Sequence, residues 1–488
     1  MMIIFRGMDI WQAIFSFFAA VPFAYGKSDS AQPSVTPQKA KIEVAQATGP
    51  LRVDPENPRY FTDGSGKAIY LAGSHTWGNF IDYGTTDPPS PFDYTAFLEF
   101  LERHNHNFIR LWAWELPKST SGNSKEIWFR VPFPWVRPGP GIATDGKPKF
   151  DLSRFNESYF ERLRNRIIVA RDRGIYVAVM LFDGYGPQFN RSENDGFPFD
   201  AENNINGILC EGTESQSLTN SAVTAIQEAY VRKVIDTVND LDNVLYEIAN
   251  ESGSYSTQWQ YHIIDYIKEY EATKPAQHPV GMTFQYSGGN NETLFLSNAD
   301  WISPSGADGY GYPNVNPPAA DGRKVIINDT DHSFYYTGLQ EVGAIGQRAW
   351  VWKNFLRGNN VAFMDPYLVL WPGRNKPEGS RVDPYWEILR INIGYTRIYA
   401  EKMNLTAAKP HGELASTGYC LANPGKEYLV YLPDGDQVTV DLSGEPGPFV
   451  VEWFNTRNGT TTDGGISAGD GKLEFTAPFD GDAVLYLF

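Results

Sequence analysis

The stretch that decides the fold covers residues 159–182 and reads YFERLRNRIIVARDRGIYVAVMLF. Residues 159–173 have the spacing of a helix, and Gly174 supplies a helix stop directly after them. Residues 175–182 form an unbroken apolar run of the length expected for a buried strand. A helix that leads straight into such a strand predicts a parallel sheet covered on both faces.

The same alternation extends over most of the chain. Short apolar runs recur between helical patterns, and we count eight of them: 69–73, 107–112, 175–182, 243–248, 280–284, 301–303, 324–327 and 360–364. Eight strand–helix units predict a (β/α)8 TIM barrel, placed here at residues 51–403. Within it, an Asp63-Gly64 turn predicts a hairpin over 51–70 that closes the bottom of the barrel. Long segments at 114–151 and 184–218 follow strands, so they belong to the face that carries barrel active sites.

The two ends of the chain have other patterns. Residues 404–488 show short alternating runs separated by Gly, Asp, Asn and Pro, which predicts a small C-terminal β-sandwich. Residues 1–26 carry a charged start, an apolar run and small residues, as a signal peptide does, and residues 27–50 are typical of a flexible linker. We therefore expect a secreted or periplasmic bacterial protein.

Composition excludes several classes of protein. The chain has 488 residues, and 41 Lys and Arg against 58 Asp and Glu give a net charge of −17, which argues against a nucleic-acid partner. No second long apolar run follows the signal, so we expect no stable membrane insertion. The two cysteines, Cys210 and Cys420, are too few for a disulfide framework or a four-cysteine zinc site, and we expect free thiols. No motif indicates a cofactor, and the oligomeric state stays open.

The strongest chemical signal is Asn250-Glu251, which ends the fourth apolar run. A carboxyl group there faces the barrel mouth, where it can protonate the leaving oxygen of a glycosidic bond. The preceding Asn250 can hydrogen-bond the 2-hydroxyl of a sugar. Glu247, four residues earlier on the same strand, is expected to be a structural polar residue.

A second carboxylate is expected across the mouth, where the seventh run ends in Asn328-Asp-Thr-Asp-His332. Asp329 comes first after the apolar run, so we prefer it to Asp331 as nucleophile or base. His332 could assist either one. The alternative is a purely structural role, in which these residues form an Asx turn that caps the next helix.

Other candidates lie at further strand ends. Arg110, in the second run, could hold the nucleophilic carboxylate ionised, or could serve only a structural ion pair. Aromatics make up 14% of the chain, and rings gathered at strand ends could stack on sugars. The substrate-binding candidates are His75, Trp77, Trp112, Trp114, Tyr312 and Trp371, in addition to Asn250, Arg110 and His332.

With Asn250-Glu251 on the fourth strand and a carboxylate closing the seventh, the sequence resembles the clan of retaining (β/α)8 glycoside hydrolases that includes cellulases, mannanases and β-galactosidases. The resemblance implies that Glu251 is the acid/base, Asp329 or Asp331 the nucleophile and Arg110 its partner. The clan usually has Glu on strand seven, so Asp is a departure. More narrowly, Asn328-Asp-Thr-Asp-His332, Trp350-Val-Trp-Lys353 and Phe363-Met-Asp-Pro-Tyr367 look like those of secreted bacterial cellulase-like proteins, whose C-terminal sandwich is often labelled a collagen-binding domain.

The sequence thus predicts a secreted glycoside hydrolase that acts on a poly- or oligosaccharide without a metal or cofactor. Three alternatives stay open. The chain could be a non-catalytic glycan-binding protein, or a metal-dependent hydrolase that uses His75, Asp331 and His332. The sandwich could also be the functional module, with the barrel in support.

Overall fold

The computed structural model describes residues 49–120, 126–210, 212–305, 316–332, 343–367 and 384–488. The expected signal peptide over 1–26 and nearly all of the expected linker over 27–50 lie outside these ranges, as do Tyr312 and Trp371.

Eight parallel strands close a barrel, as the sequence predicted. They are β1 (Ala72–His75), β2 (Phe108–Leu111), β3 (Tyr176–Asp183), β4 (Val244–Asn250), β5 (Val280–Thr283), β6 (Trp301–Ser303), β7 (Val325–Asp329) and β8 (Asn360–Met364). Neighbours in the chain are neighbours in the barrel, and β8 pairs with β1 to close it. Each strand falls within or beside one of the eight apolar runs, because a strand covered on both faces must be apolar throughout.

Helices cover the outside of the barrel. They are α1 (Tyr94–Arg103), α2 (Glu157–Arg171), α3 (Tyr185–Phe189), α4 (Ser221–Val238), α5 (Thr257–Glu271), α6 (Asn291–Leu296), α7 (Gly343–Leu356) and α8 (Pro384–Lys402). Local sequence sets their starts: Asp93 caps α1 by accepting the N–H of Ala96, and Asn220 caps α4 by accepting the N–H of Val223. Within the described ranges, we find no helix long and apolar enough to cross a membrane.

The bottom of the barrel is closed by a three-stranded sheet of Arg52–Val53, Phe61–Thr62 and Ala68–Ile69. The last two strands form the hairpin around Asp63-Gly64 that the sequence indicated. Leu51 and Phe61 are buried in one apolar cluster with Trp301 and other barrel residues. The sheet therefore plugs the barrel end opposite to the mouth.

The long segment after β2 builds small sheets beside the mouth. Ile127–Val131 is the central strand of one sheet and pairs with Lys118–Thr120 on one side and with Asp82–Gly84, which follows β1, on the other. Trp135–Val136 pairs with Asp151–Phe155. After β3, the segment contains the short helix α3 and the 3-10 helix Gly212–Gln216. Both segments lie at the carboxyl ends of the barrel strands, where substrates bind in this architecture.

The C-terminal region is the predicted β-sandwich. Its strands are β9 (Lys409–Pro410), β10 (Cys420–Asn423), β11 (Glu427–Leu432), β12 (Gln437–Asp441), β13 (Phe449–Asn455), β14 (Thr461–Ser467), β15 (Lys472–Thr476) and β16 (Ala483–Leu487). Six of them form one sheet, and β12 pairs with β15 in the other. The sequence did not indicate β14, because its residues TTDGGIS are polar or glycine apart from Ile466, and almost all are exposed. Cys210 and Cys420 are free and buried.

Barrel and sandwich share one apolar core. Trp352 on α7 lies 5.7 Å from Phe454 on β13, and Tyr399 on α8 lies 5.3 Å from the same ring, measured between centroids. The guanidinium of Arg348 donates to both oxygens of Asp482 at 2.6–3.0 Å, and both side chains are buried. This shared core indicates that the sandwich is a structural part of the barrel unit.

Candidate active site

Arg110, on β2, is the centre of a buried polar network inside the barrel mouth. Its Nη1 donates to Asp329 Oδ2 at 2.8 Å and to Asp331 Oδ2 at 3.2 Å. On its other side, Nε and Nη2 form a bidentate pair with Glu247 at 2.7 and 2.5 Å. Nη2 also donates to Asn250 Oδ1 at 2.9 Å. Burial lowers the pKa of this guanidinium, but the surrounding carboxylates outweigh burial and raise it, so the cation is permanent.

Asp329 lies at the end of β7 and is only 1% exposed. His75 Nε2, at the end of β1, lies 3.0 Å from Asp329 Oδ1 and 2.9 Å from Oδ2. The same Oδ1 accepts the backbone N–H of Asp331 at 2.9 Å. Together with Arg110, these donors fix the orientation of the carboxylate and stabilise its charge.

Asp331 lies two residues further, in the 3-10 turn Thr330–His332. Burial raises the pKa of its carboxyl to about 6, with a further contribution from Asp329, although Arg110 and His75 oppose the rise. Asp329 and Asp331 therefore both contact the guanidinium of Arg110. Their surroundings differ, because His75 lies within hydrogen-bond distance of Asp329.

Glu251 follows β4 directly and has a positive φ of 53°. This backbone conformation is uncommon for a residue with a side chain and is typical of functional sites. The side chain is 6% exposed, and burial raises the pKa of its carboxyl well above the usual range. Asp331 and then Asp183 add to the rise, while Arg110 opposes it. Its surroundings therefore favour the protonated form of the Glu251 carboxyl, and Asp331 is the acidic neighbour with the largest effect.

Two further carboxyls extend this acidic group. Asp183 ends β3 in register with Asn250 of β4, and burial raises its pKa to about 6. Its oxygens accept the N–H groups of Tyr185 and Gly186 at 3.0–3.3 Å. Burial, with Asp183 as the next cause, raises the pKa of Glu115 well above its usual range. Neither residue was among the candidates predicted from the sequence, although Asp183 follows an apolar run just as Asn250 does.

The backbone around Glu251 is held by the segment after β3. Gln188 Nε2 donates to Glu251 O at 3.1 Å and to Tyr286 O at 3.1 Å. Gln216 Nε2 donates to Asp183 O at 3.0 Å, while its Oε1 accepts from Ser252 Oγ at 2.8 Å. These contacts fix the turn on both sides of Glu251. No sequence pattern marked either glutamine, because each lies in a helical segment of five residues, which is too short to show a period.

The backbone of Gly184 packs closely against the turn that carries Glu251. The N–H of Gly184 donates to Asn250 O at 2.7 Å. A Cβ atom at position 184 would lie 2.3–2.5 Å from atoms of Ser252, so only glycine fits there.

Of the tryptophans expected to stack on sugars, Trp112 and Trp114 are buried against other rings. Trp112 is 2% exposed and stacks on His75 at 5.4 Å between ring centroids. Trp114 is 7% exposed and stacks on Tyr83 at 5.1 Å. Trp77 is half-buried and accepts the indole N–H of Trp114 at its carbonyl oxygen, at 3.0 Å. All three pack against other residues of the mouth wall. Trp112 and Trp114 therefore support this wall and do not present an open ring face to a sugar.

Three of the predicted site residues cannot be placed in the site from the described part of the chain. Tyr312 and Trp371 lie outside the described residues, and so does the side chain of His332. Among the described residues, no three His, Cys, Asp or Glu side chains are arranged to hold a metal ion. The charge partner that the structure places among the carboxyls is the guanidinium of Arg110.

Comparison with solved structures shows the fold. A glycoside hydrolase family 5 protein from Bacteroides vulgatus ATCC 8482 is 16% identical over 90% of this chain and 93% of that chain, with a TM-score of 0.58. A second structure, described as a glycoside hydrolase, is 14% identical over 90% of this chain and 96% of that chain, with a TM-score of 0.59. At these identities the likeness concerns architecture, and it extends over the barrel and much of the sandwich.

One family model matches the chain, over residues 411–487, and its description is "Putative collagen-binding domain of a collagenase". A search of the curated proteins found no match. The match covers the sandwich and leaves the barrel unassigned, so it does not place the whole chain in a family. The chain is a (β/α)8 barrel followed by a C-terminal β-sandwich, similar in fold to glycoside hydrolase family 5 structures and, in its sandwich, to the domain family named above.

Proposed function

We propose that the chain is a glycoside hydrolase that cleaves the glycosidic bonds of a poly- or oligosaccharide, with Glu251 as its acid/base. The observation that carries the proposal is the pairing of two kinds of carboxyl at the mouth. Glu251 is buried with a raised pKa, and it interacts with Asp331, which shares Arg110 with Asp329. One protonated carboxyl and one ionised carboxylate, separated by environment, are what glycoside hydrolysis requires.

In the first step, the carboxylate of Asp329 attacks the anomeric carbon, and Glu251 gives its proton to the leaving oxygen as the glycosidic bond breaks. A glycosyl ester on Asp329 results. In the second step, Glu251, now ionised, takes a proton from water, whose oxygen attacks the anomeric carbon and releases Asp329 as a carboxylate. This retaining route requires carboxyl groups about 5–5.5 Å apart, whereas a separation of about 6.5–9.5 Å would allow water between them and lead to inversion.

Two observations support Asp329 as the nucleophile. Arg110 and His75 both contact it and favour its ionised form, which a nucleophile needs. Asp331, in contrast, has a pKa raised to about 6 and is the acidic neighbour that most strongly raises the pKa of Glu251. We therefore assign Asp331 the task of keeping Glu251 protonated, and retain it as the alternative nucleophile.

The test is the release of reducing ends from plant, algal and bacterial polysaccharides by the full chain and by single variants. Glu251→Gln and Asp329→Asn should each lower kcat by about 10³-fold or more, with the fold retained by circular dichroism. Full activity of Glu251→Gln would refute the acid assignment. If Asp331→Asn is inactive while Asp329→Asn keeps its activity, the two aspartates exchange roles.

The same assay separates the alternatives. A non-catalytic glycan-binding protein would bind one of the polysaccharides and release no reducing ends from any of them. A metal-dependent hydrolase would lose activity in a chelator and regain it with added metal, whereas the proposed mechanism is unaffected by chelator.

We also propose that residues 1–26 direct the chain out of the cytoplasm, on the strength of their charged start and apolar run. Expression of the full chain in a bacterial host, followed by N-terminal sequencing of the exported protein, tests this. A start near residue 27 supports export, and an intact cytoplasmic chain beginning at residue 1 opposes it.

A further inference from the structure

We propose that a patch of half-buried and exposed rings beside Glu251 is a binding subsite for the sugar on the leaving-group side of the scissile bond, and that it takes an uncharged pyranose. The inference rests on the proposed function and extends it. The patch consists of Tyr185 and Phe189 on α3, Tyr255 after β4 and Tyr286 after β5, and we call it the ring patch.

Three of the four rings are direct neighbours. The centroid of Phe189 lies 5.5 Å from that of Tyr185 and 5.9 Å from that of Tyr286. Phe189 is 45% exposed and Tyr255 is 41% exposed, whereas Trp112 and Trp114 at the same mouth are buried. Exposed apolar surface of this kind is characteristic of binding sites.

The ring patch lies on the side of the mouth that Glu251 occupies. After burial, the Glu251 carboxyl is the next cause that raises the pKa of both Tyr185 and Tyr286. Gln188, between the rings of Tyr185 and Phe189 in the chain, donates to the carbonyl oxygens of both Glu251 and Tyr286. The patch is therefore fixed to the same turn as Glu251.

Position relative to the reaction defines the subsite. The atom that receives the proton of Glu251 must lie within hydrogen-bond reach of its carboxyl. That atom is the oxygen of the leaving group, while the attacked sugar is approached from Asp329 on β7. Rings attached to the turn of Glu251, on the segments after β3, β4 and β5, border the leaving group.

Charge and shape define the ligand. Beside Glu251 the mouth holds Asp183, Asp329 and Asp331, and Arg110 donates to the last two of these. A uronic acid would be repelled there. A neutral pyranose with equatorial hydroxyls presents an apolar face of C–H groups, which packs on an aromatic ring.

The test is isothermal titration of the full chain with cellotetraose, mannotetraose, xylotetraose and tetragalacturonate. All proteins carry Glu251→Gln so that no sugar is cleaved. We expect at least one neutral tetrasaccharide to bind, and Phe189→Ala to weaken its binding at least about fivefold. Phe189→Trp, which restores a ring, should bind within about twofold of the parent.

Phe488→Ala is the matched control, because Phe488 lies in the sandwich and is 42% exposed. It should leave binding unchanged. The subsite is overturned if Phe189→Ala binds as tightly as the parent, if no neutral tetrasaccharide binds, or if tetragalacturonate binds most tightly. Hydrolysis by Glu251→Gln is a separate outcome: it would refute the catalytic assignment while leaving a Phe189-dependent binding result intact.

Discussion

At the scale of single residues, the chemistry of the site depends on how burial changes the pKa values of its carboxyl groups. Glu251, Asp331, Asp183 and Glu115 all have raised pKa values, and burial is the leading cause for each. The guanidinium of Arg110 opposes the rise for Glu251 and Asp331, that of Arg130 for Asp183 and that of Arg191 for Glu115. The sequence identified Glu251, Asp329, Asp331 and Arg110 because each follows or lies in an apolar run. It could not identify Glu115 as part of the group, because that residue reaches the mouth from an irregular segment.

The pH dependence of activity should reveal the interaction between Asp331 and Glu251. A negative Asp331 disfavours ionisation of Glu251, so replacing it with Asn should lower the pKa of Glu251. The alkaline limb of kcat/KM, where the acid loses its proton, should then move to lower pH by about one unit. An unmoved alkaline limb in an active Asp331→Asn variant would contradict the assignment of Asp331 as the neighbour that keeps Glu251 protonated.

Asp183 should make stability depend on pH. Its folded pKa of about 6 lies above its ordinary value of 3.8, so the folded state disfavours the ionised form. The resulting destabilisation is absent below about pH 4, grows as pH rises to 6 and is constant above that. Asp183→Asn should therefore change the free energy of unfolding more favourably at pH 7.5 than at pH 4, by up to about 3 kcal/mol.

Urea denaturation at the two pH values measures this difference. Asp463→Asn, at an exposed position on β14, is the control and should show no such dependence on pH. Equal effects of Asp183→Asn at both pH values would mean that Asp183 is ionised in the folded protein at no cost.

At the scale of elements, the short helix α3 contributes both to the positioning of Glu251 and to the proposed sugar-binding subsite. The five residues of this helix, which follows β3, supply two rings of the ring patch. They also supply the side-chain amide of Gln188, which donates to the carbonyl oxygen of Glu251. The barrel strands and the long helices could be predicted because period and capping residues mark them. The short helix α3 could not, because five residues carry too little periodicity to stand out from a loop.

Gln188→Met tests the positioning role of α3. Methionine keeps the length of the side chain and removes the N–H donors to Glu251 O and Tyr286 O. The positive φ of Glu251 should then be less well held, and kcat should fall about tenfold with little change in KM.

Gln277→Met is the matched control, because Gln277 Nε2 also donates to two backbone carbonyl oxygens, at 2.9 Å each, on α5 and the turn that follows it. It should leave kcat unchanged. A rise in KM alone for Gln188→Met would assign Gln188 to substrate binding and not to positioning of Glu251.

At the scale of the whole molecule, the sandwich and the barrel fold as one unit. Sequence patterns predicted both domains and the break near residue 404, but not the interface, since burial between domains leaves no separate period. Asp482 of the sandwich binds Arg348 on α7 and accepts hydrogen bonds from Thr456 and Tyr431. This buried ion pair and the contacts of Trp352 and Tyr399 with Phe454 join the sandwich to the barrel.

Asp482→Asn should destabilise the full chain by about 3 kcal/mol or more, because it leaves the buried cation of Arg348 without its charge partner. Urea denaturation should show one cooperative transition shifted to lower urea for barrel and sandwich together. Two transitions, of which only one moves, would show that the domains unfold independently.

The central claim is that Glu251 is the acid/base of a retaining hydrolysis. It is tested most directly with Glu251→Ala, azide and the 2,4-dinitrophenyl glycoside of the sugar that the polysaccharide assay identifies. This leaving group needs no proton, so the glycosyl ester still forms, and azide replaces the water that Glu251 would activate. We predict slow turnover that azide accelerates, with a glycosyl azide of retained configuration as product. Turnover equal to that of the parent, or an azide-independent rate with no glycosyl azide, would contradict the account.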